Sequence, residues 1–569
     1  MIPPSPPPSP SLTGAVLSAD QAVAHTLLNC LLREVCGPEH QTAVTDGRLL
    51  LRLPRSGVLL GVALRRVCLI GSHRFTGPVT VQRADGGWAE LPWPALAEHI
   101  HRELELRTGV RNEEFLDQVA ASHAGVNAAL AAAHRPRRPA EDPYLDSEQS
   151  LLLGHRFHPT PKARSGARED WERYAPEAGA RFPLHHLAVR RDRVRQEGVT
   201  APLDRQGNVP DGYLLLPVHP WQHAMLAGHP ALRSALRHGE VLDLGPRGAA
   251  FAPTASVRTL YDGRDFLKFS LNIRITNCLR KNAEYELAGA VALTRLLEPA
   301  VTDLAARFPG AGLLREPGYR TLDLGVRELA EGFGVIVRDG LATRLAPGLT
   351  ALLAAAVADE YPVSQAQLGR LSATSRPESA LAWWHAYLRL LVPPVLAAYF
   401  DHGVVLEPHL QNVILGIDAR GMPRQVLFRD LEGTKLLPHR HGAALAGLPE
   451  EVARALTYDR AQGWDRVVYC LIVNHLAEML AALADRHPAL EPQLWSAVSR
   501  VLAERAMAHG DPPQLRALIA GVPLPAKANL LTRWARQADR DAGYVRIPSP
   551  LASELLSVLA APTWSATPC

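Results

Sequence analysis

Glu407-Pro408-His409-Leu410-Gln411-Asn412, followed a little later by Phe428-Arg429-Asp430-Leu431-Glu432-Gly433, is the stretch on which the fold turns. Between the two lie β-like runs, Asn412–Gly416 and Gln425–Arg429, joined by a turn-rich segment holding Gly421 and Pro423. That pattern predicts a hairpin within Val404 to Leu437. Around it the chain reads differently: from 346 onward Leu and Ala recur with helical periodicity. A hairpin set into a helical region therefore carries imidazole, amide and carboxylate groups at its base. A loop of solvated charges is the plain alternative; their clustering favours a site.

Asn412 and Asp430 flank the hairpin much as the magnesium-holding Asn and Asp of kinases do. Glu407 and Glu432 add carboxylates, and hard oxygens are what Mg²⁺ prefers. Upstream, Pro253 to Asn282 is dense in donors: Ser256, Arg258 and Thr259, then Lys268 in Phe266–Ile273, then Thr276, Asn277 and Arg280. If these are strands, Ser256 and Arg258 share a face, as do Lys268, Ser270 and Asn272. Arg and Lys beside hydroxyls and amides suit a polyphosphate. A helix opening near Leu279–Glu284 would offer amides to an anion. The polar face of an exposed sheet is the alternative.

Farther upstream, Gly154 to Gly166 places His155, His158, Lys162 and Arg164 among restraining prolines. Such a loop presents several donors to an anion or is an incidental basic surface; no carboxylate or cysteine completes a metal set there. Pro217-Val218-His219-Pro220-Trp221-Gln222 ends an apolar strand and reads as a turn whose Trp221 caps the core. The chain has five lysines (Lys162, Lys268, Lys281, Lys435 and Lys527) among 61 basic residues. Arginine-rich coding is the bland cause, yet a lysine that survives marks a place where a guanidinium does not fit.

The 569 residues carry a net charge of +4 and are 47% hydrophobic, which points to neither nucleic acid nor a membrane surface. No apolar run reaches the ~18 residues of a membrane helix; Leu388 to Phe400 contains Arg389 and is expected to break at Pro393 and Pro394. No cysteine belongs to a C-x-x-C pair, so the six read as reduced, packed thiols of a cytoplasmic protein. No P-loop, G-x-G-x-x-G, H-E-x-x-H or G-x-S-x-G is found. Along the chain the expectation is a disordered tail (1–12) and a helix from a Ser18/Gln21 capping box to Val35. Strands follow at Leu49–Leu53, Leu59–Leu64, Val67–Ile70 and Val79–Arg83, then helices at Leu96–Arg107 and Glu113–His134. Further strands are expected at Tyr213–Val218 and Phe266–Ile275, with a helix at Ala283–Leu297.

Taken together, these segments resemble the aerobactin synthetase (IucA/IucC) family, siderophore synthetases that work without a peptide-synthetase assembly line. The loop at 154 resembles its HPxHPxxK-type motif, with Arg156 where proline is usual. Ser256 to Arg280 resembles S-x-R-T … K-x-S … I-T-N-x-x-R. The hairpin resembles E-x-H-x-Q-N and R-D-x-E-G, with Pro408 where a small residue is common. The resemblance implies an α+β cupped hand of three parts. These are a thumb (13–145), fingers (146–345) and a mainly helical palm (346–569) carrying a kinase-like hairpin. ATP is then held by Ser256, Arg258, Thr259, Lys268, Thr276, Asn277 and Arg280 from the fingers and His409, Asn412 and Asp430 from the palm. Lys268, Arg280 and His409 are the implied catalytic residues. Asp430, with Glu407 or Glu432, takes Mg²⁺, while His155, His158, Lys162 and Arg164 receive the acid or help fix the α-phosphate side. Arg156 is expected to alter how that acid sits.

The implied reaction joins a carboxylic acid, citrate being the common family choice, to an amine or alcohol through an acyl-adenylate. It needs no covalent nucleophile, and Ser256, lacking a paired base, is assigned hydrogen bonding. A kinase-like phosphotransferase is the competing reading, although Gln411 stands where a kinase has its catalytic Asp. A non-catalytic anion-binding protein is the third. The resemblance also allows a homodimer.

Overall fold

The computed structural model describes residues 17–134, 142–275, 278–361, 364–538 and 542–552; the side chains of 275–280, the expected tail 1–12 and Cys569 lie outside the described residues. The Ser18 hydroxyl accepts the Gln21 N–H at 3.2 Å and opens the helix Ala19–Leu31, which continues as a wider turn, Leu32–Cys36. Strands β1 (Thr42–Thr45), β2 (Arg48–Arg52), β3 (Leu59–Arg66), β4 (Arg74–Gln82) and β5 (Trp88–Glu90) form an antiparallel meander. Asp85 Oδ1 accepts the Gly87 N–H at 2.9 Å in the last turn. The helix Ala19–Leu31 packs on this sheet and the helices Trp93–Thr108 and Glu114–Ala133 pack on that helix, and Leu27, Val62, Ile100 and Phe115 fill one core. Leu530 and Trp534 enter the same core from near the other end of the chain. Val67–Ile70 is not a strand. Its N–H groups are spent on side chains instead: Cys68 N donates to His73 Nδ1 at 3.1 Å and Leu69 N to Glu491 at 2.9 Å.

The next part holds β6 (Phe182–Arg190), β7 (Val194–Gly198), β8 (Tyr213–Val218), β9 (Val241–Pro253), β10 (Thr259–Tyr261) and β11 (Phe266–Phe269). It continues with β12 (Leu271–Ile275), β13 (Cys278–Arg280), β14 (Ala311–Leu313), β15 (Gly318–Leu322) and β16 (Val335–Arg338). Eight of these form one sheet in the order β7-β15-β16-β11-β10-β9-β6-β8, while β12 and β13 pair separately. The expected continuous strand Phe266–Ile275 thus breaks at Ser270. Buried Ser270 donates its hydroxyl to Glu331 O at 2.5 Å and accepts the Asn282 N–H at 2.8 Å, which turns the chain out of the sheet. The helix expected to end at Leu297 runs from Glu284 to Arg307, through Pro299.

The third part is mainly helical. It holds β17 (Thr350–Leu353), β18 (Val404–Val405), β19 (Val413–Ile417), β20 (Pro423–Phe428), β21 (Lys435–Leu436), β22 (Leu524–Lys527) and β23 (Tyr544–Ile547). The predicted hairpin is β19–β20, with β17 antiparallel to β19 and β14 parallel to β20. The helix Pro377–Phe400 does not break at Pro393 and Pro394. Two interior prolines cost several kcal/mol, but Trp383, Trp384, Tyr387, Leu391 and Val395 on this helix are fully buried in the largest core, and that burial outweighs the loss. Arg460–Arg486 is long and apolar enough to cross a membrane, against the expectation that no run is. Its apolar window is 89% buried inside the protein, so here it is a core helix. The whole is an α+β cupped hand, its parts closing on a shared cavity.

Candidate active site

Lys268 lines that cavity. It lies on β11, 2% exposed, and donates to Asp430 Oδ1 at 2.7 Å and Glu432 Oε2 at 2.9 Å. Arg258 donates to the same Glu432 oxygen at 2.7 Å and to Asn282 Oδ1 at 2.7 Å. Arg338 stands 3.3 Å from Asp430 and 2.5 Å from Glu316. Burial alone would raise both carboxylates. Lys268 and Arg338 instead hold Asp430 well below the carboxylate range, and Lys268 and Arg258 hold Glu432 down to about 2. The same carboxylates keep buried Lys268 charged, above its ordinary value.

The hairpin positions this chemistry through a strained residue. Asp430 follows β20 with φ +71°, a left-handed conformation, and neighbouring Arg429 is locked by Glu148 at 2.5 Å and the Tyr144 hydroxyl at 2.8 Å. Glu407 pairs with Arg466 at 2.8 Å; burial pushes its carboxyl up, but Arg466 and His409 bring it below the usual range. Burial, outweighing the neighbouring Glu407 and Asp430, keeps His409 below its ordinary range. Gly433 packs so closely on Glu407 that a Cβ would overlap Oε2.

The segment before β10 is a turn, not the expected strand. Thr254 N bonds Thr259 O and Val257 N bonds Thr254 O, with Val257 at φ +68°. The turn still presents Ser256 and Arg258 to the cavity, and Ser256 Oγ accepts the Thr259 N–H at 3.2 Å. Lys268, Ser270 and Asn272 do not share a face, because the chain breaks at Ser270; of the three only Lys268 lines the cavity. The helix at Glu284 offers no ready anion site: Glu286 accepts the Ala283 N–H at 2.8 Å, and acidic side chains fill its first turn. Thr276, Asn277 and the Arg280 side chain lie outside the described residues.

Across the cavity, Lys162 donates to Leu151 O at 2.8 Å and to Glu177 at 3.3 Å, and Arg164 pairs with the same Glu177. Burial, then the neighbouring Arg164, drives Lys162 well below its ordinary value. His155 Nε2 lies 3.0 Å from Asn474 Nδ2, and Asn474 Oδ1 accepts the Leu410 N–H at 3.2 Å, tying this loop to the His409 segment. His158 Nδ1 accepts the Thr160 N–H at 3.1 Å. Arg156 is taken up by Glu478 at 3.3 Å, Glu360 at 3.5 Å and His73 O at 2.8 Å, which gives it a structural task.

Every expected site residue with a described side chain lines this one cavity of about 1430 Å³. So do all five lysines, Lys527 included. The sequence reading did not single out Lys527, though its rarity was a signal. It also missed Asn282, beside the motif, and Arg466, Glu316 and Glu177, which no local pattern marks.

A family model for the IucA/IucC family matches residues 143–359, and one described as ferric iron reductase FhuF-like transporter matches 381–542. The latter span holds one cysteine, buried Cys470, so it lacks the thiolate set of an iron–sulfur centre. The rhizobactin siderophore biosynthesis protein RhbC of Rhizobium meliloti is 28% identical, over 92% of this chain and 96% of that one. The L-2,3-diaminopropanoate–citrate ligase of Staphylococcus aureus is 30% identical, over 72% of this chain and 75% of its own length. Among solved structures, ATP-bound aerobactin synthetase IucA from Klebsiella pneumoniae superposes with a TM-score of 0.80 at 25% identity, covering 93% of this chain and 99% of that one. With relatives of these names and this fold, the chain is a carboxylate–amine ligase of siderophore biosynthesis. The chain belongs to the IucA/IucC family.

Proposed function

We propose that this chain uses ATP and Mg²⁺ to adenylate a carboxylic acid and then joins it to an amine or alcohol. What supports this most is the convergence of three separate motif segments and all five lysines on one cavity, around the cluster Lys268–Asp430–Glu432. Citrate is the acid we infer, because relatives bear the names spermidine–citrate ligase and L-2,3-diaminopropanoate–citrate ligase.

In this reading a carboxylate oxygen of the acid attacks the α-phosphorus of ATP and pyrophosphate leaves. The amine or hydroxyl then attacks the acyl carbon, AMP leaves, and a proton is lost to give an amide or ester. The protein's part is to hold two anions together and to balance charge. Lys162, Arg164, His155 and His158 receive the acid. Ser256, Arg258, Thr259, Lys268, Thr276, Asn277 and Arg280 hold the nucleotide, with His409, Asn412 and Asp430 opposite. Asp430 and Glu432 remain anionic far below neutral pH and Asn412 adds an amide oxygen, a hard-donor set that fits Mg²⁺, with Glu407 as a further carboxylate. When bound, Mg²⁺ would supply neutralisation of phosphate charge.

The test is incubation of the pure protein with ATP, Mg²⁺, hydroxylamine and a panel of carboxylic acids including citrate. AMP and a hydroxamate in equal amounts are expected with one acid. ADP as product would establish the kinase-like alternative instead. Arg280→Ala is expected to abolish hydroxamate formation while the fold persists.

A further inference from the structure

His185, His223 and Asp243 meet outside the cavity, brought together by β6, the short helix Pro220–Leu226 and β9. Each offers one ligand atom, and these atoms all lie within 4.8 Å of one another. The imidazoles stack with centroids 3.5 Å apart and 14° between planes. His185 Nε2 is 2.7 Å from Asp243 Oδ1, and His223 Nε2 is 3.8 Å from Asp243 Oδ2.

The placement is built into the sheet. The β6–β9 register steps from His186↔Gly245 to Leu187↔Asp243, so Leu244 is the extra residue of a bulge. Gly245 takes φ +72°, and its N–H donates to Asp243 Oδ1 at 2.9 Å. Bulges re-aim side chains, and here the re-aimed group is a carboxylate set against two imidazoles. His223 continues the segment His219-Pro220-Trp221-Gln222, which contributes nothing to the lining of the ATP-type cavity.

We propose that His185, His223 and Asp243 form a separate site for a divalent transition ion of the zinc class, clamping the helix to the sheet. Two imidazoles and one carboxylate leave a fourth position for water, the pattern of an open zinc-type site. Bond lengths of about 2.0–2.1 Å set tetrahedral ligand atoms about 3.4 Å apart. The carboxylate oxygens of Asp243 stand 2.7 and 3.8 Å from the two imidazoles, and because the rings lie nearly parallel, closure on one ion needs them to turn so that both in-plane lone pairs meet at it. Asp243, with a side chain 43% exposed, leaves the site open to solvent.

The clamp reaches the proposed nucleotide loop in one step. Gln222, beside His223, donates to Gly332 O at 2.9 Å and accepts the Asn272 N–H at 2.7 Å. Asn272 belongs to β12, which leads to Thr276, Asn277 and Arg280. The effect on turnover rests on the function proposed above; metal binding does not.

The test titrates Co²⁺ into full-length, chelator-treated protein free of nucleotide and Mg²⁺, read by visible absorption, by Zn²⁺ competition and by melting temperature. Expected are a signal saturating at one equivalent, its loss on adding Zn²⁺, and a raised melting temperature. His223→Gln and Asp243→Asn should each weaken binding by more than about tenfold and abolish the thermal shift. Lys268→Ala should leave the signal intact. Asp243 is exposed, so Asp243→Asn carries the test should His223→Gln fold poorly. No stoichiometric Co²⁺ signal, or an unchanged one in Asp243→Asn, overturns the site, whatever the hydroxamate assay shows.

Discussion

At the scale of single residues, Lys268 shows why this arginine-rich chain keeps its few lysines. Its ammonium sits within 2.9 Å of two carboxylates, with Glu316 4.0 Å away, in a space a planar guanidinium does not match. Lys268→Arg is expected to fold at a cost of about 1–3 kcal/mol from overpacking and to lose at least about 100-fold in hydroxamate rate. Lys268→Ala removes the cation that Asp430 and Glu432 share but leaves them Arg338 and Arg258, so it should lower the urea midpoint by less than a fully broken buried pair, about 3–5 kcal/mol, would. Wild-type turnover by Lys268→Arg would remove Lys268 from the site's chemistry. Chemistry is local enough that Asn412 and Asp430 stand out as a pair flanking the hairpin, while His409 is picked out through the motif resemblance. Glu177, Glu316 and Arg466 could not be chosen in either way, since each matters only through a partner brought near by folding.

At the scale of elements, hairpins and caps were readable because their signals span a few residues. The β19–β20 hairpin and the Ser18 cap formed where their turn and capping residues stand. The break at Ser270 was not readable, because it is made by Glu331 O and Asn282 N, which belong to other segments. The uninterrupted helix through Pro393 was hidden for the same reason: its compensation is tertiary. Gly433 shows a close approach with a testable cost. Gly433→Ala should push Glu407 off Arg466, lowering both melting temperature and hydroxamate rate; a variant that matches wild type in both would show that Glu407 gives way freely. His219 gives a pH test. It is fully buried, caps its helix through Nδ1 to the Trp221 N–H at 3.2 Å, and burial pushes it down to about 3. Because the folded value lies below the unfolded one of about 6.5, its contribution is complete above pH 6.5 and is lost as pH falls towards 3. His219→Asn keeps a cap acceptor without the titration. Its unfolding free energy should fall less steeply between pH 6 and 4, by up to about 1.4 kcal/mol per pH unit. An unchanged slope would mean His219 does not titrate between the folded and unfolded states.

At the scale of the whole molecule, the cavity exists only while the parts stay in register, and a buried ion network holds that register. Arg66 and Arg74, from the N-terminal sheet, meet Asp485 at 2.8 and 3.0 Å, with Glu478 3.4 Å from Arg74 and Glu491 2.5 Å from Arg66. Arg156, from the loop between Gly154 and Gly166, joins the same Glu478. The partners are some 400 positions apart, so no sequence window could show the joint, whereas the α+β character and the helical C-terminal region follow from local periodicity. The Arg74 side chain is 1% exposed and Asp485 14%, so salt screens this pair little. Arg66 and Arg74 both lean on Asp485, whose carboxyl they hold below its usual range against burial. Asp485→Asn leaves Arg66 with Glu491 and Arg74 with Glu478, so it should lower stability by less than the about 3–5 kcal/mol of a buried pair broken outright. Combined with Arg74→Met, it should cost less than the sum of the two single changes, the mark of direct coupling in a double-mutant cycle. Loosening the joint should also raise KM for the acid more than it lowers kcat, since Arg156 links the network to the loop that carries Lys162 and Arg164. Additive stabilities with an unchanged KM would mean that the hydrophobic contacts of Leu530 and Trp534, not the ion network, hold the parts in register.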